Sequence, residues 1–109
     1  MPQVEGRKSS RFAVQLPLSF TESRGAEPAT ILNISREGCL VTSNRSPEPP
    51  AYVTLDMQLQ EGQESVHVEL AAVRWASGSR FGVEFIKIGP EQRLKLGSFI
   101  ALLEKDVLP

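Results

Sequence analysis

Every second residue from Phe12 to Phe20 is a large apolar one, and this alternation predicts a half-buried strand. Pro17 lies on the opposite, mostly polar face. Because proline has no N–H to donate to a neighbouring strand, we expect a sheet edge or a bulge at this position.

Further strand-like segments follow, separated by turn-forming residues. They cover residues 29–35, 38–43, 52–59, 66–76 and 80–86. Residues 22–28 read as a turn, and the loop 44–50 contains two consecutive prolines. In the segment 66–76, the fifth predicted strand of the chain, the apolar positions change phase between Leu70 and Val73, which predicts a bulge.

From Pro90 onward the apolar period changes from two to about 3.6 residues, which predicts one amphipathic helix over residues 90–107. Its apolar face consists of Leu96, Phe99, Ile100, Leu103 and Val107. Short antiparallel strands followed by one helix predict a mainly β fold. We expect a small six-stranded antiparallel barrel or a sandwich, with the C-terminal helix over an open end or face.

Composition limits the functional classes. A chain of 109 residues forms one domain, and its net charge of −1 gives no general affinity for nucleic acid or anionic membranes. One cysteine, Cys39, and one histidine make a zinc site improbable, so no metal and no cofactor are expected. No secretion signal or membrane span is evident, and we expect a cytoplasmic protein without membrane insertion.

A basic segment precedes the first strand. Arg7, Lys8 and Arg11 place three positive charges in five residues. In an extended chain Arg7 and Arg11 lie on one side, roughly 13 Å apart, where their guanidinium groups suit a ligand that combines phosphates with guanines. The alternative is a solvated, disordered arm. We define residues 1–11 as the N-terminal arm, predicted to be flexible, and residues 12–109 as the barrel with its helix.

A second candidate is the turn Asn33–Gly38, with the sequence NISREG, between the second and third strands. Asn33 offers an amide to a base edge, Ser35 a hydroxyl to phosphate, and Gly38 a backbone that a ligand can approach closely. The alternative is an ordinary turn, since these residue types are common turn formers.

The two motifs together resemble the PilZ family. RKSSR at Arg7–Arg11 matches its Arg-x-x-x-Arg arm, NISREG matches its Asn/Asp-x-Ser-x-x-Gly turn, and RFGVEFI at residues 80–86 is similar to its last strand. The resemblance extends through the helix. It implies a six-stranded split barrel that binds the bacterial second messenger cyclic di-GMP. By the same resemblance, Arg7 and Arg11 clamp the ligand, Asn33 and Ser35 bond it, and Gly38 keeps the turn open.

Two positions depart from the family pattern. Glu37 stands where many relatives have a glycine, and its negative charge weakens phosphate binding unless it points to solvent. Gly6 replaces a frequent further arginine, so the number of ligand molecules cannot be carried over. Lys8 and Arg36 are auxiliary candidates that add positive charge near the site.

The predicted function is therefore a non-enzymatic cyclic di-GMP receptor. Ligand binding orders the arm against the barrel, and a protein effector in motility, adhesion, biofilm or virulence pathways reads the new surface. The rival is a PilZ-fold adaptor that works by protein contact without nucleotide. A barrel for single-stranded nucleic acid is disfavoured, because such grooves need several exposed aromatic residues and a basic surface.

Three other features have mainly structural interpretations. His67 is expected on the exposed face of its strand. Trp75 is expected in the core or at the barrel rim rather than as a stacking platform. Leu94 and Leu102 lie away from the main apolar face of the helix, with Ser98 and Ala101 between them. This second patch is either scattered surface leucines or a docking site for a partner, including a homodimer.

Overall fold

The computed structural model describes residues 10–23 and 25–107. These residues form six strands and one helix. In chain order they are β1 (Phe12–Thr21), β2 (Glu27–Ile34), β3 (Gly38–Thr42), β4 (Ala51–Met57), β5 (Val66–Ser77), β6 (Arg80–Lys87) and α1 (Pro90–Val107). Most of the arm, with Arg7 and Lys8, lies outside the described residues.

The strands close into an antiparallel barrel in the order β1-β2-β3-β6-β5-β4. The predicted fold class is thus confirmed, and the barrel forms rather than the sandwich. Strand alternation turns every second side chain inward, where hydrophobic burial stabilises the fold. The largest fully buried side chains are Phe81, Ile31, Ile34, Leu55, Met57, Leu96, Ile100, Val41, Val53, Val68 and Cys39. Phe20 and Phe81 meet edge to face inside the barrel, with ring centroids 5.2 Å apart.

The predicted bulge in β5 is present. Val53 and Leu55 of β4 pair with Ala71 and Val68, so β5 carries one extra residue in that interval. The extra residue shifts the inward-facing set of β5 by one position, which is the phase change visible in the sequence.

The two strand prolines lie where a neighbouring ladder stops. Pro17 lies one residue beyond the last β1–β4 pair, and its carbonyl accepts a 2.9 Å hydrogen bond from the Gln58 amide. Pro28, predicted in a turn, belongs to β2, which begins two residues earlier than expected. It pairs with Ser19, while the β2–β3 ladder reaches only Thr30. Neither position therefore requires the N–H that proline lacks.

The helix α1 covers the barrel end at which β1 and β3 begin and β2, β4 and β6 end. Leu96, Phe99 and Ile100 are buried against the barrel, as their spacing predicts. Near the helix start, the Gln92 side chain accepts a 2.8 Å hydrogen bond from the His67 amide. The His67 ring is exposed, as expected, and lies 2.8 Å from an Asp56 carboxylate oxygen. None of the described helical residues forms a segment long and apolar enough to cross a membrane.

Candidate functional site

The first strand and the Asn33–Gly38 turn meet at the covered end of the barrel. Arg11 precedes β1, and its Nη1 donates a 2.9 Å hydrogen bond to Oδ1 of Asn33. The next two residues, Phe12 and Ala13, pair with Ile34 and Asn33. Arg11 and Asn33 belong to two separate sequence motifs and are 22 residues apart, and the structure brings their side chains into direct contact.

Two bulges lie next to Asn33, one in the neighbouring strand β1 and one in β2 itself. The β1–β2 register shifts between Ala13 and Leu16, and the β2–β3 register shifts between Ile31 and Asn33. Each shift adds a residue to one strand, and such bulges redirect neighbouring side chains. Ile31 and Ile34 both face the core, and Asn33 lies half-buried between them on the outer surface. The bulge between Ile31 and Asn33 therefore allows Asn33 to face outward although Ile31 and Ile34 both face the core.

Ser35 shapes the turn from inside. It is only 3% exposed, and its Oγ accepts a 3.1 Å hydrogen bond from the Glu37 amide while donating a long, 3.4 Å bond to the Gly38 carbonyl. The Ser35 amide donates to the same carbonyl at 2.9 Å. These bonds are typical of a serine that stabilises a tight turn. The hydroxyl predicted to meet phosphate thus faces the backbone of its own turn, and its role toward a ligand stays a prediction.

Gly38 is buried where β3 meets β6. It pairs with Glu84, and a Cβ at this position would collide with the carbonyl oxygen of Val83. The structure therefore gives the glycine a packing reason, close approach of two strands, that the turn motif alone does not reveal.

Two of the charged residues around the turn, Arg36 and Glu84, are ion-paired, and a third, Glu37, is exposed. The Arg36 guanidinium extends to α1 and contacts the Glu104 carboxylate at 2.9 and 3.4 Å. Glu84, beside Gly38, is bonded to Arg74. Glu37 is exposed, the orientation in which its charge interferes least with an anion. The positive charge of Arg36 is thus compensated by the helix, and its auxiliary role toward a ligand stays a prediction.

Trp75 is not in the core; it is 46% exposed on the outer surface, two residues before the end of β5. Its indole covers Gly82, where a Cβ would overlap the ring. The register explains the position: Trp75 pairs with Gly82, Gly82 with Leu40, and Leu40 with Asn33. We call this row of outward-facing residues the Asn33–Trp75 row. The expectation of a core position is wrong because the β5 bulge at Arg74 turns Trp75 outward, whereas the other expected position, the barrel rim, agrees with its place near the end of β5. Gly82 indicates this position only once the β5–β6 register is known.

Cys39 lies beneath this surface and is fully buried. Burial raises the pKa of its thiol to about 12, and the nearby positive charge of Arg11 opposes the shift only partly. The thiol therefore stays protonated at neutral pH and acts as a small core residue, as the sequence suggests.

The structure is thus a small β-barrel domain in which the polar side chains of Arg11 and Asn33 meet at the helix-covered end. The sequence matches the PilZ domain family over residues 5–102, and the chain belongs to this family. PilZ domains are receptor or adaptor domains related to cyclic di-GMP signalling. No curated protein matches the sequence.

Among solved structures, the chain is similar to the Bacillus subtilis inhibitor of motility, MotI/DgrA, with a TM-score of 0.76 and 18% identity. The match covers 96% of this chain and 54% of that one, so this chain spans about half the length of that protein. At this identity the likeness concerns the fold.

The first prediction concerns Gly38. Replacing it with alanine should destabilise the protein by about 1–3 kcal/mol, because the added methyl group forces β3 away from Val83. Gly25→Ala is the matched control, since a Cβ there meets nothing within 4 Å. Chemical denaturation measures both variants. Equal stability of Gly38→Ala and the parent protein would show that the strands are not in close contact here.

The second prediction concerns the Arg36–Glu104 pair. The hydrogen bond from Arg36 lowers the pKa of Glu104 below its ordinary value. The pair thus stabilises the fold above the ordinary glutamate pKa, and this contribution is lost as pH falls through the lowered value. Carboxyl-carbon NMR should show the Glu104 midpoint rising in Arg36→Ala but not in Arg93→Ala, which removes an exposed arginine from the same helix. An unchanged midpoint in Arg36→Ala would exclude the pair in solution.

Proposed function

We propose that this protein is a cyclic di-GMP receptor whose ligand binds over Arg11 and Asn33. The observation that carries the proposal is the 2.9 Å contact between these two side chains. It joins the arm motif to the turn motif at one place on the surface. Two motifs that act on one ligand must converge, and a barrel with Arg11 and Asn33 on opposite sides would not have allowed it.

Arg11 suits a phosphate or a guanine edge. Arginine has five N–H donors in a planar fork, and the described contact with Asn33 uses one of them. The remaining donors are available to a ligand because the residue is exposed. Asn33 accepts from Arg11 through Oδ1, which leaves its NH₂ group to donate to a ligand acceptor.

The Asn33–Trp75 row extends this site across the barrel. Neighbouring strands are about 4.8 Å apart, so Asn33 and Gly82 are separated by roughly 10 Å. This span is comparable with a dinucleotide. The indole over Gly82 presents an aromatic face on which a guanine can stack, with Leu40 as an apolar floor between the two ends.

The arm completes the proposed site. Arg7 precedes Arg11 by four residues, and an extended arm carries its guanidinium within roughly 13 Å of that of Arg11. A dianionic ligand offers both arginines a charge-assisted bond, so binding orders the arm over the barrel. Ser35 and Gly38 hold the turn, and Lys8 supplies auxiliary positive charge. Arg36 adds to that charge only when it leaves Glu104.

We further propose that the ordered arm and the bound nucleotide form the surface that a protein effector reads. The structural neighbour is named an inhibitor of motility, which makes motility the first process to examine for this chain. Since the ligand is an intracellular messenger, we place the receptor in the cytoplasm. The second candidate, an adaptor independent of nucleotide, is supported by the exposed leucines of α1.

Calorimetric titration with cyclic di-GMP tests the ligand. The parent protein should bind, and Arg11→Ala should weaken binding about tenfold or more, since a hydrogen bond to a charged group contributes about 1.5–3 kcal/mol. Arg11→Lys should be intermediate because it keeps the charge and loses the fork. Arg45→Ala is the control; it removes an exposed arginine from the loop after β3, where it pairs with Glu27 at the start of β2, away from Asn33. No heat from the parent protein would favour the nucleotide-independent adaptor.

Trp75 provides an independent readout because it is the only tryptophan. Its fluorescence should change on titration with the same midpoint as the heat, since a stacked guanine alters the indole environment. Gly82→Ala should displace the indole and weaken binding about fivefold to a hundredfold, the range that corresponds to loss of one base stack. Binding by calorimetry without any change in fluorescence would exclude Trp75 from the site and leave Arg11 and Asn33 unaffected.

A further inference from the structure

The face of α1 opposite the barrel carries a regular pattern. Its residues recur every three or four positions, which places them on one side of the helix. They are Glu91, Leu94, Ser98, Leu102 and Lys105, and all five are exposed. We call them the outer face of α1. The buried residues Leu96 and Ile100 lie on the other side.

The two leucines are unusually accessible. Leu94 is 72% exposed and Leu102 is 46% exposed, although the same helix buries Leu96, Phe99 and Ile100. Leu94 also borders a groove of about 370 Å³ between α1 and the β4–β5 turn. Leu59, Val66 and Phe99 form the apolar part of the groove lining. An apolar cavity of about 150 Å³ holds benzene, so this groove is large enough for a leucine side chain.

The outer face is symmetric about Ser98. Leu94 and Leu102 each lie four residues from Ser98, and Glu91 and Lys105 each lie seven residues from it. If a second helix runs antiparallel about a two-fold axis at Ser98, residues equally distant from Ser98 in opposite directions come to the same level. Leu94 then lies level with Leu102 of the second copy, and Glu91 with Lys105 of the second copy.

This arrangement matches apolar with apolar and acid with base. A two-fold interface uses the same patch on both copies, and such a patch must complement itself. The order acid, leucine, serine, leucine, base complements itself only when the second helix runs antiparallel to the first. A parallel arrangement would place Glu91 opposite Glu91 of the second copy. No ion pair among the described residues involves Glu91 or Lys105.

Small residues at the centre allow the helices to approach. Ser98 is small, and its neighbour on the helix surface three residues further on, Ala101, is small and exposed. Leu102 of the second copy then lies beside Leu94, at the open groove over Leu59 and Phe99. The proposed contact thus explains both the open groove and the exposure of Leu102, because Leu102 of one copy covers the groove of the other.

We propose that the outer face of α1 is a homodimer interface in which a second copy of this chain packs antiparallel about Ser98. The interface does not involve the nucleotide site and does not depend on the proposed function. The contact from Glu91 to Lys105 is about 21 Å long at 1.5 Å per residue. A single helix pair buries less than a standard interface, so we expect a weak, concentration-dependent dimer.

Sedimentation equilibrium of the full chain without nucleotide, from about 10 μM to about 1 mM, tests the proposal in the range of weak dimers. The parent protein should be a monomer–dimer equilibrium. Leu94→Asn and Leu102→Asn should each weaken dimerisation about tenfold or more, since both remove a central apolar contact. Ile86→Asn is the matched control, because Ile86 is 45% exposed on β6 and outside the helix. Circular dichroism checks that each variant keeps the fold.

Charge reversal tests the antiparallel order. Glu91→Lys and Lys105→Glu should each weaken the dimer, since each creates like charges at both ends of the contact. The double variant should restore dimerisation, because it exchanges the charges and keeps every pair opposite. Oxidation of Ser98→Cys should yield a disulfide-linked dimer, and the buried thiol of Cys39 should not compete.

Three outcomes would overturn the proposal. A protein that stays monomeric throughout the concentration range excludes the dimer. A dimer insensitive to both leucine substitutions uses another surface. A dimer that the double charge reversal fails to restore is not antiparallel about Ser98. Nucleotide binding is not needed for any of these readouts, so failure of the receptor proposal is distinguishable from failure of this one.

Discussion

The pairing of the beginning of β1 with the end of β2 is the constraint on which the site depends. Phe12 and Ala13 pair with Ile34 and Asn33, and this register fixes Arg11 beside the turn. Core packing maintains the register, because a slip by one residue would turn the apolar set of β1 toward solvent. The contact between Arg11 and Asn33 is therefore set by burial of the barrel interior rather than by the hydrogen bond alone.

The helix connects this site to the outer face of α1. Arg36 belongs to the turn, and its partner Glu104 lies on α1 between Leu103, which packs against the core, and exposed Lys105. A surface ion pair contributes little to stability. The Arg36–Glu104 pair nevertheless places the turn in direct contact with the C-terminal part of the helix. A change at the turn that moves Arg36 would alter its contact with Glu104, which is next to the proposed dimer contact at Lys105.

The sequence predicted the strands, the helix and the bulge of β5, because these follow from the period of burial. It did not reveal the bulge of β2, although Ile31 and Ile34 are three positions apart and both apolar, a spacing that one uninterrupted strand cannot bury on the same face. The reasons for Ser35 and Gly38 also escaped it. A motif indicates which residues recur at a turn. Only the folded barrel shows that Ser35 bonds the backbone of its own turn, and that Gly38 leaves room for the carbonyl oxygen of Val83. Trp75 required the β5–β6 register, a contact between strands that no local pattern encodes.

The charge environment of Arg11 distinguishes it from three other arginines of the described barrel. Arg36, Arg45 and Arg74 each face a carboxylate, which neutralises their charge and makes an anion compete with a resident partner. Arg11 instead donates to a neutral amide. The amide orients the guanidinium without cancelling its charge, so an incoming anion meets a positioned cation and displaces no counter-charge. A chain with a net charge of −1 can therefore carry one local anion site, provided that its other cations near that site are paired.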